Sequence, residues 1–187
     1  QNLVNNLKES NPVLVDELVP KLLGLGEIQK VLQNLLSEGI SIRDLLTIFE
    51  TLADHAPATR DTDVLTEYAR QSLKRAISSK YFPANETTSV ITVDPKIEQE
   101  IMGSVKQTEQ GAYLTLDPER TKAIMASVEE EVAKLENMGK PAIIMTSPIV
   151  RMYFKKLTED YFKDLTVLSY NEVESNVELQ SVGMVTI

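Results

Sequence analysis

The sequence contains few side chains that could act as nucleophiles or as ligands for a soft metal. His55 is the only histidine, and there is no cysteine. Serine–histidine and cysteine–histidine catalysis are therefore disfavoured, because the residues that they need are scarce or missing. A zinc site, which needs Cys or His ligands at set spacings, is not expected. His55 lies shortly before Pro57, near the predicted end of a helix. The helix dipole favours a cationic side chain at that position. We therefore assign it a structural role.

Two other patterns match ligand sites only in part. Asp61 and Asp63 offer oxygen ligands for a hard cation, but no full calcium loop follows them, and acidic residues are common in the first turn of a helix. Gly24 and Gly26 lack both a preceding strand and a following Lys-Ser/Thr pair, so they indicate a helix interruption rather than a phosphate loop. The sequence predicts no catalytic residue, no cofactor and no metal site.

The segment Thr146-Ser147-Pro148 could hold an anion, because it joins an apolar strand to the predicted start of a helix. It lacks the glycines that let a phosphate approach the backbone, so we favour helix capping by Ser147. A small enzyme that binds an anionic ligand here remains an alternative. Stabilisation of the chain against heat by phosphate compounds would support that alternative.

Charged residues cluster on two of the predicted helices. One cluster is acidic, at positions 129–131, and the other consists of Arg151, Lys155 and Lys156. Charge runs on helices are usually solvated faces. We keep the basic cluster as a candidate contact surface for an acidic protein partner.

The composition predicts a folded, soluble protein whose partners are other proteins. Lys and Arg number 19 against 28 Asp and Glu, a formal net charge of −9. That balance disfavours binding to nucleic acid or to anionic lipid, which rests on clustered cations. No apolar run approaches the roughly 20 residues of a membrane-spanning helix. Because the chain starts with Gln1 rather than Met, we expect it to be a piece of a longer polypeptide.

The first half of the chain has helical periodicity throughout. Apolar residues recur at helical spacing from Ile28 to Leu36 and from Ile42 to Leu52, with Gly39 ending the first helix and Ser41 available to cap the next. A third helix is predicted over 62–80. We interpret residues 1–82 as a helical bundle.

The second half alternates between strands and helices. A capping residue precedes proline at Asp94, Asp117 and Ser147, as it does earlier at Asn11, which predicts four helix starts. Short β-rich runs lie between these helices. The predicted fold class is mixed α and β: the helical subdomain, then a small α/β subdomain over 88–187 with a mixed sheet flanked by helices. The short, polar 81–88 segment is the expected hinge.

Several segments closely resemble the FlhA family of flagellar export-gate proteins and its virulence type III secretion relatives. The resemblance covers essentially the whole chain and is most specific over 31–55. The segments that carry it are NPVLVDELVP at 11–20, IQKVLQNLL at 28–36, IRD at 42–44, IFETLADHA at 48–56 and VLSYNEV at 167–173.

The resemblance implies the distal part of the cytosolic region of a bacterial inner-membrane protein. It implies three kinds of partner: flagellar export chaperones with their cargo, other export components, and further copies of the chain in a ring. The chaperone-docking cleft of the family lies mainly in earlier subdomains, so its residues are not carried over to this chain. Candidate lateral contacts, which we expect to face solvent, are Gln33, Asn34, Arg43 and Asp44. For Asn34 and Asp44, local capping or backbone bonding is an equally open interpretation.

One further alternative is a ligand-sensing regulator with a helix-turn-helix over 28–53. A helix that faces DNA should be rich in Lys and Arg. Residues 41–54 carry only Arg43 against Asp44, Glu50 and Asp54. The charge balance therefore disfavours this alternative.

Overall fold

The computed structural model describes the backbone of residues 2–187 and the side chains of residues 4–187. The chain divides into two compact units, Gln1–Lys80 and Tyr81–Ile187. The sequence predicts bounds of 1–82 and 88–187 for these units. The described part of the chain contains both helices and parallel strands, so the predicted mixed α and β class is confirmed.

The first unit consists of helices whose buried apolar residues include Leu18, Ile28, Phe49 and Leu65. Local side chains fix several helix starts, because the first amides of a helix have no partner within it. Asp44 accepts a hydrogen bond from the Thr47 amide, and Asp61 accepts one from the Asp63 amide. The helices are α1 (Asn2–Ser10), α2 (Pro12–Leu18), α3 (Leu25–Ser37), α4 (Leu45–His55), α5 (Thr62–Ser72) and α6 (Lys74–Tyr81).

Three local predictions for this unit are wrong, the first being the cap at Asn11: α2 begins at Pro12 as predicted, but the Asn11 side chain makes no capping bond to it. The single helix predicted over 62–80 is two helices, which part at the buried residue Leu73. Ser41 does not cap the helix that follows it, because that helix begins at Leu45 and its cap is Asp44. Apolar periodicity indicates helices in the 42–52 and 62–80 regions, but it does not by itself place the break or the first turn.

The second unit is built on a four-stranded sheet in which every neighbouring pair is parallel, in the order β5-β4-β1-β6. A separate antiparallel hairpin pairs β2 with β3. The sequence predicts one mixed sheet, which would combine parallel and antiparallel pairs. The structure instead has the parallel pairs in one sheet and the antiparallel pair in another. The elements are β1 (Thr87–Val93), α7 (Pro95–Gly103), β2 (Val105–Thr108), β3 (Gly111–Leu114), α8 (Pro118–Asn137), β4 (Ile143–Thr146), α9 (Arg151–Thr158), β5 (Thr166–Ser169) and β6 (Glu178–Val185).

The core of this unit lies between the sheet and its helices. All four residues of β4 are buried, as expected for an inner strand covered on both faces. Asp94 and Asp117 cap α7 and α8 as predicted, through the amides of Lys96 and Glu119. The predicted helix start at Pro148 is wrong, since a turn intervenes and α9 begins at Arg151.

Candidate functional site

The amide and hydroxyl of Ser147 lie at the carboxyl end of β4, in the segment that the sequence indicates as a possible anion site. The Ser147 amide donates to Glu98 Oε2 at 2.8 Å, and Ser147 Oγ donates to Glu98 Oε1 at 2.8 Å. Glu98, from α7, thus occupies both groups with its own carboxylate. A further anion would have to displace that carboxylate or lie beside its negative charge, which would repel it. The small-enzyme alternative therefore loses its proposed ligand site.

The Glu98 charge also acts on the next strand end. Tyr170, directly after β5, has a raised pKa, first because burial disfavours the phenolate and second because Glu98 is negatively charged. Its side chain still has 50% of its surface exposed. Glu98 and Tyr170 thus interact at the carboxyl ends of the neighbouring strands β4 and β5.

Arg151 is not the solvated cation that the sequence predicted, since only 1% of its surface is exposed. Its Nη1 donates to the carbonyl oxygen of Val167 at 2.9 Å, and its Nε lies 3.9 Å from Glu172 Oε2. Lys155, one helical turn later, donates from Nζ to the Leu165 carbonyl at 2.8 Å. Of the predicted basic cluster, Lys156 alone is exposed. Two of the three basic residues therefore hold α9 against β5 and the residue before it.

The acidic run on α8 has a comparable structural role at the opposite edge of the sheet. Glu131 is buried, and its Oε1 accepts the Met184 amide of β6 at 2.9 Å. Its Oε2 lies 2.6 Å from the Lys134 ammonium. Ser127, four residues earlier, accepts the Thr186 amide at 3.0 Å.

Both outer strands are thus covered in part by side chains that are four residues apart on a helix. The α9 pair supplies donors to the carbonyls of residues 165 and 167 beside and within β5. The α8 pair supplies acceptors to the amides of residues 184 and 186 at the end of β6. Unpaired strand edges can recruit other strands, and proteins commonly cover them.

Two of the four lateral-contact candidates hold local structure in the first unit. Asn34 Nδ2 donates to Thr66 Oγ1 at 3.1 Å and to Asp63 Oδ1 at 3.4 Å, which joins α3 to α5. It is only half-buried, but its amide faces α5, so the predicted solvent-facing orientation is wrong. Asp44 is exposed and is the cap of α4.

Gln33 and Arg43 have exposed side chains, as predicted. Each has an exposed apolar neighbour three residues along the chain, Leu36 with 53% and Leu46 with 38% of its surface exposed. Residues three apart on a helix lie on one face, so Gln33 and Leu36 form one mixed surface on α3. Such polar and apolar surfaces suit contacts between proteins.

His55 and the aspartates near it have structural surroundings. The His55 ring stacks on that of Tyr68, with centroids 3.8 Å apart and planes 5° from parallel. Asp61 caps α5 and Asp63 accepts from Asn34. Within the described residues, no cluster of three or more His, Cys, Asp or Glu side chains could hold a metal ion. Among the same residues, no helix has the length and apolar character needed to cross a membrane.

Sequence reasoning missed the three buried or engaged glutamates Glu98, Glu131 and Glu172. Only Glu172 had a local signal: it follows Ser169 by three residues, the spacing of a capping box, and its carboxylate accepts the Ser169 amide at 3.0 Å. Glu98 and Glu131 contact residues 49 and 53 positions away. No local pattern identifies such partners.

The fold and sequence also match known proteins. The model of the FHIPEP family matches residues 1–178, and the chain belongs to that family. It is 50% identical over 187 residues to the flagellar biosynthesis protein FlhA of Bacillus subtilis and 33% identical over 185 residues to FlhA of Salmonella typhimurium. It is also 32% identical over 167 residues to the low calcium response locus protein D of Yersinia pestis.

Solved structures share the fold over nearly the whole chain. In the Chlamydia pneumoniae CdsV and CdsO protein complex, the matched chain has a TM-score of 0.90 and 37% identity over 99% of this chain. The nonameric EscV cytosolic domain from the type III secretion system gives 0.77 and 36% over 100%. This chain covers 54% and 55% of those structures. It spans 28% of Bacillus FlhA, 26% of Salmonella FlhA and 24% of the Yersinia protein.

Proposed function

We propose that this chain is the distal cytosolic part of a flagellar type III protein export gate at the bacterial inner membrane. In that role it helps to form a ring of identical copies, receives chaperone–cargo complexes and passes the cargo towards the export channel. The observation that carries the proposal is the 50% identity to Bacillus subtilis FlhA along all 187 residues. The virulence relatives compared above do not reach that identity, since the Yersinia protein is 32% and the CdsV chain 37% identical, and this favours the flagellar branch.

Ring formation is supported by two solved structures that are themselves nonameric, one of EPEC SctV-C and one of the EscV cytosolic domain. The exposed residues Gln33, Leu36, Arg43 and Leu46 are the lateral-contact candidates of the first unit. A closed ring needs two different complementary faces on each copy. The second unit offers Lys156 and the exposed ring of Tyr170, beside Glu98, as contact groups for other export components. The solved complex of CdsV with CdsO supports such a contact.

The role we propose is docking and positioning rather than catalysis. The anion-binding groups of Ser147 bind Glu98, and the basic residues Arg151 and Lys155 bind strand carbonyls. His55 stacks on Tyr68. Each side chain that could have suggested chemistry thus has a structural partner within its own unit.

A segment exchange tests the proposal most directly. The matching 187 residues of Bacillus subtilis FlhA would be replaced by this chain, and swimming and secreted flagellin would be measured. Restored export supports the proposal. Loss of both, with normal amounts of the chimaera in the membrane, contradicts it.

Calorimetric titration then locates cargo docking. A flagellar chaperone–cargo complex would be titrated into this chain and into a longer cytosolic fragment that includes the upstream subdomains. Binding to this chain alone would place part of the docking surface here. Binding to the longer fragment alone would assign this part to ring building and positioning.

A further inference from the structure

The edge strand β6 is covered along only half of its length. The Val185 carbonyl accepts a bond from the Asp94 amide, which follows β1, so Val185 faces the sheet. The amides of its neighbours Met184 and Thr186 point away from β1 and bind Glu131 and Ser127 of α8. The two outward amides at the carboxyl end of this edge are therefore already bonded.

A bulge separates this half from the first half. The pairing of β6 with β1 moves from Ser181 opposite Val90 to Gly183 opposite Ile91, which leaves Val182 without an opposite residue. Bulges of this kind locally disrupt the ladder of hydrogen bonds and bend the strand. The side chains of α8 accept amides only on the carboxyl side of the bulge.

The first half of β6 presents main-chain groups outward at Leu179 and Ser181. Thr88, Val90 and Thr92 of β1 share one orientation, because backbone groups alternate along a strand. These residues lie opposite Leu179, Ser181 and Met184. Since Met184 faces outward, so do Leu179 and Ser181. Among the described side chains, those of residues 4–187, none hydrogen-bonds to either of those two amides.

The side chains around this half-edge are polar and acidic. Glu178, Gln180 and Ser181 are exposed, and Glu178 pairs with Thr87, beside the exposed Glu86. The whole chain carries a formal net charge of −9. An extended peptide that adds to a sheet edge gains affinity from main-chain bonds and specificity from its side chains. Lysine or arginine on such a peptide would complement Glu86 and Glu178.

We propose that residues 178–181 of β6 form a docking edge for an extended, basic segment of another polypeptide, which adds to the sheet as a fifth strand. The bulge at Val182 and the α8 side chains limit the added strand to the first half of β6. This inference goes beyond the export role and does not depend on it.

The test uses the full chain and a short synthetic peptide of alternating lysine and threonine. Calorimetry measures binding, and amide hydrogen exchange locates it. We expect binding that slows exchange at Leu179 and Ser181. A peptide of the same sequence, N-methylated at alternate residues, keeps its charge but cannot form the ladder, so it should bind at least about tenfold more weakly. Equal binding of both peptides, or binding of neither, would overturn the proposal.

Two substitutions in β6 give a second, independent readout. Ser181→Pro removes one outward amide, and proline is tolerated on edge strands where that amide faces solvent. We expect the variant to lose most of the peptide affinity, whereas the matched Ser181→Ala variant keeps it. If Ser181→Pro fails to fold by circular dichroism, the N-methylated peptide still decides the question. Full affinity in a folded Ser181→Pro variant would contradict strand addition at this edge.

Discussion

Arg151 and Glu172 are a fully buried ion pair, with Nε 3.9 Å from Oε2 and 1% of each side chain exposed. Each member also holds backbone: Arg151 donates to the Val167 carbonyl, and Glu172 accepts the Ser169 amide. The pair joins the start of α9 to the end of β5. A sequence run that suggested a basic docking surface is therefore largely an internal support of the α/β unit.

Replacing Arg151 with methionine should strongly destabilise the second unit. The substitution leaves the Glu172 carboxylate buried without its cation, and breaking a buried pair in this way costs about 3–5 kcal/mol. Denaturant unfolding would measure the loss. The double variant Arg151→Met/Glu172→Gln should be more stable than the sum of the two single losses predicts. Lys156→Met, on the exposed side of the same helix, should stay within about 0.5 kcal/mol of the parent, and a comparable loss there would contradict the assignment.

Gly183 cannot carry a side chain without displacing Glu131. A Cβ at this position would lie 2.1 Å from Glu131 Oε1 and 3.0 Å from the Ile91 side chain. Because Glu131 also holds the Met184 amide and Lys134, Gly183→Ala should destabilise the chain by about 1–3 kcal/mol. Gly26→Ala, in α3, meets no atom within 4 Å and should stabilise it by about 0.5–1 kcal/mol. A neutral Gly183→Ala variant would show that Glu131 moves freely.

The ion pair of Glu27 with Arg60 should make stability depend on pH. The pKa of Glu27 lies below its ordinary value of 4.5, first because Arg60 donates to it and then because the Gly24 amide does. A carboxylate whose pKa falls on folding adds stability above the unfolded pKa, and that stability is lost as the pH falls through the folded pKa. We therefore expect Glu27→Gln to lower the free energy of unfolding at neutral pH and to reduce its decline below about pH 4.5.

Glu50→Gln is the control for this measurement. Glu50 is exposed on α4 and has no hydrogen-bond partner among the described residues. In unfolding curves between about pH 3 and 7, Glu27→Gln should depart further from the parent than Glu50→Gln does, because only Glu27 loses an ion pair. If Glu27→Gln departs no further than Glu50→Gln does, the pair with Arg60 contributes nothing to the acid response.

Lys155 should matter for the free edge of β5, whereas its neighbour Lys156 should not. Lys155→Met keeps most of the aliphatic stem but removes the donor to the Leu165 carbonyl, a loss of about 1 kcal/mol. An uncovered strand edge also favours association with other strands. We expect lower stability and faster aggregation on mild heating, measured by light scattering. Equal behaviour of Lys155→Met and Lys156→Met would show that this contact does not protect the edge.

Ring formation should depend on the exposed surface of the first unit. In a longer cytosolic fragment, Arg43→Glu and Leu46→Glu should each lower the ring population measured by mass photometry, because charge reversal and a buried charge both weaken protein interfaces. Lys156→Glu, in the second unit, is the matched surface control. Normal rings with both Arg43→Glu and Leu46→Glu would exclude this surface from the lateral contact.

The local features of this fold follow from short-range chemistry. Asp94 and Asp117 each stand before proline and cap their helices, as the sequence predicted, because a cap needs only the next few amides. The apolar periodicity likewise predicted the helical first unit and the alternating second unit. The composition disfavours zinc binding and histidine-dependent catalysis, because the chain has no cysteine and one histidine. The excess of acidic residues disfavours nucleic acid and anionic lipid, so protein partners are favoured. The family resemblance then supplied the particular role that the comparisons support.

Only the tertiary structure decided which charged residues face solvent. Arg151, Lys155, Lys156 and Glu131 look alike in sequence as parts of helical charge runs, yet only Lys156 among them is exposed. The difference arises because the partners are the carbonyls of residues 165 and 167 and the amide of residue 184, which the fold brings to the helices. Hydrogen bonds between groups 10 to 53 residues apart depend on strand order and register, and no local pattern contains either.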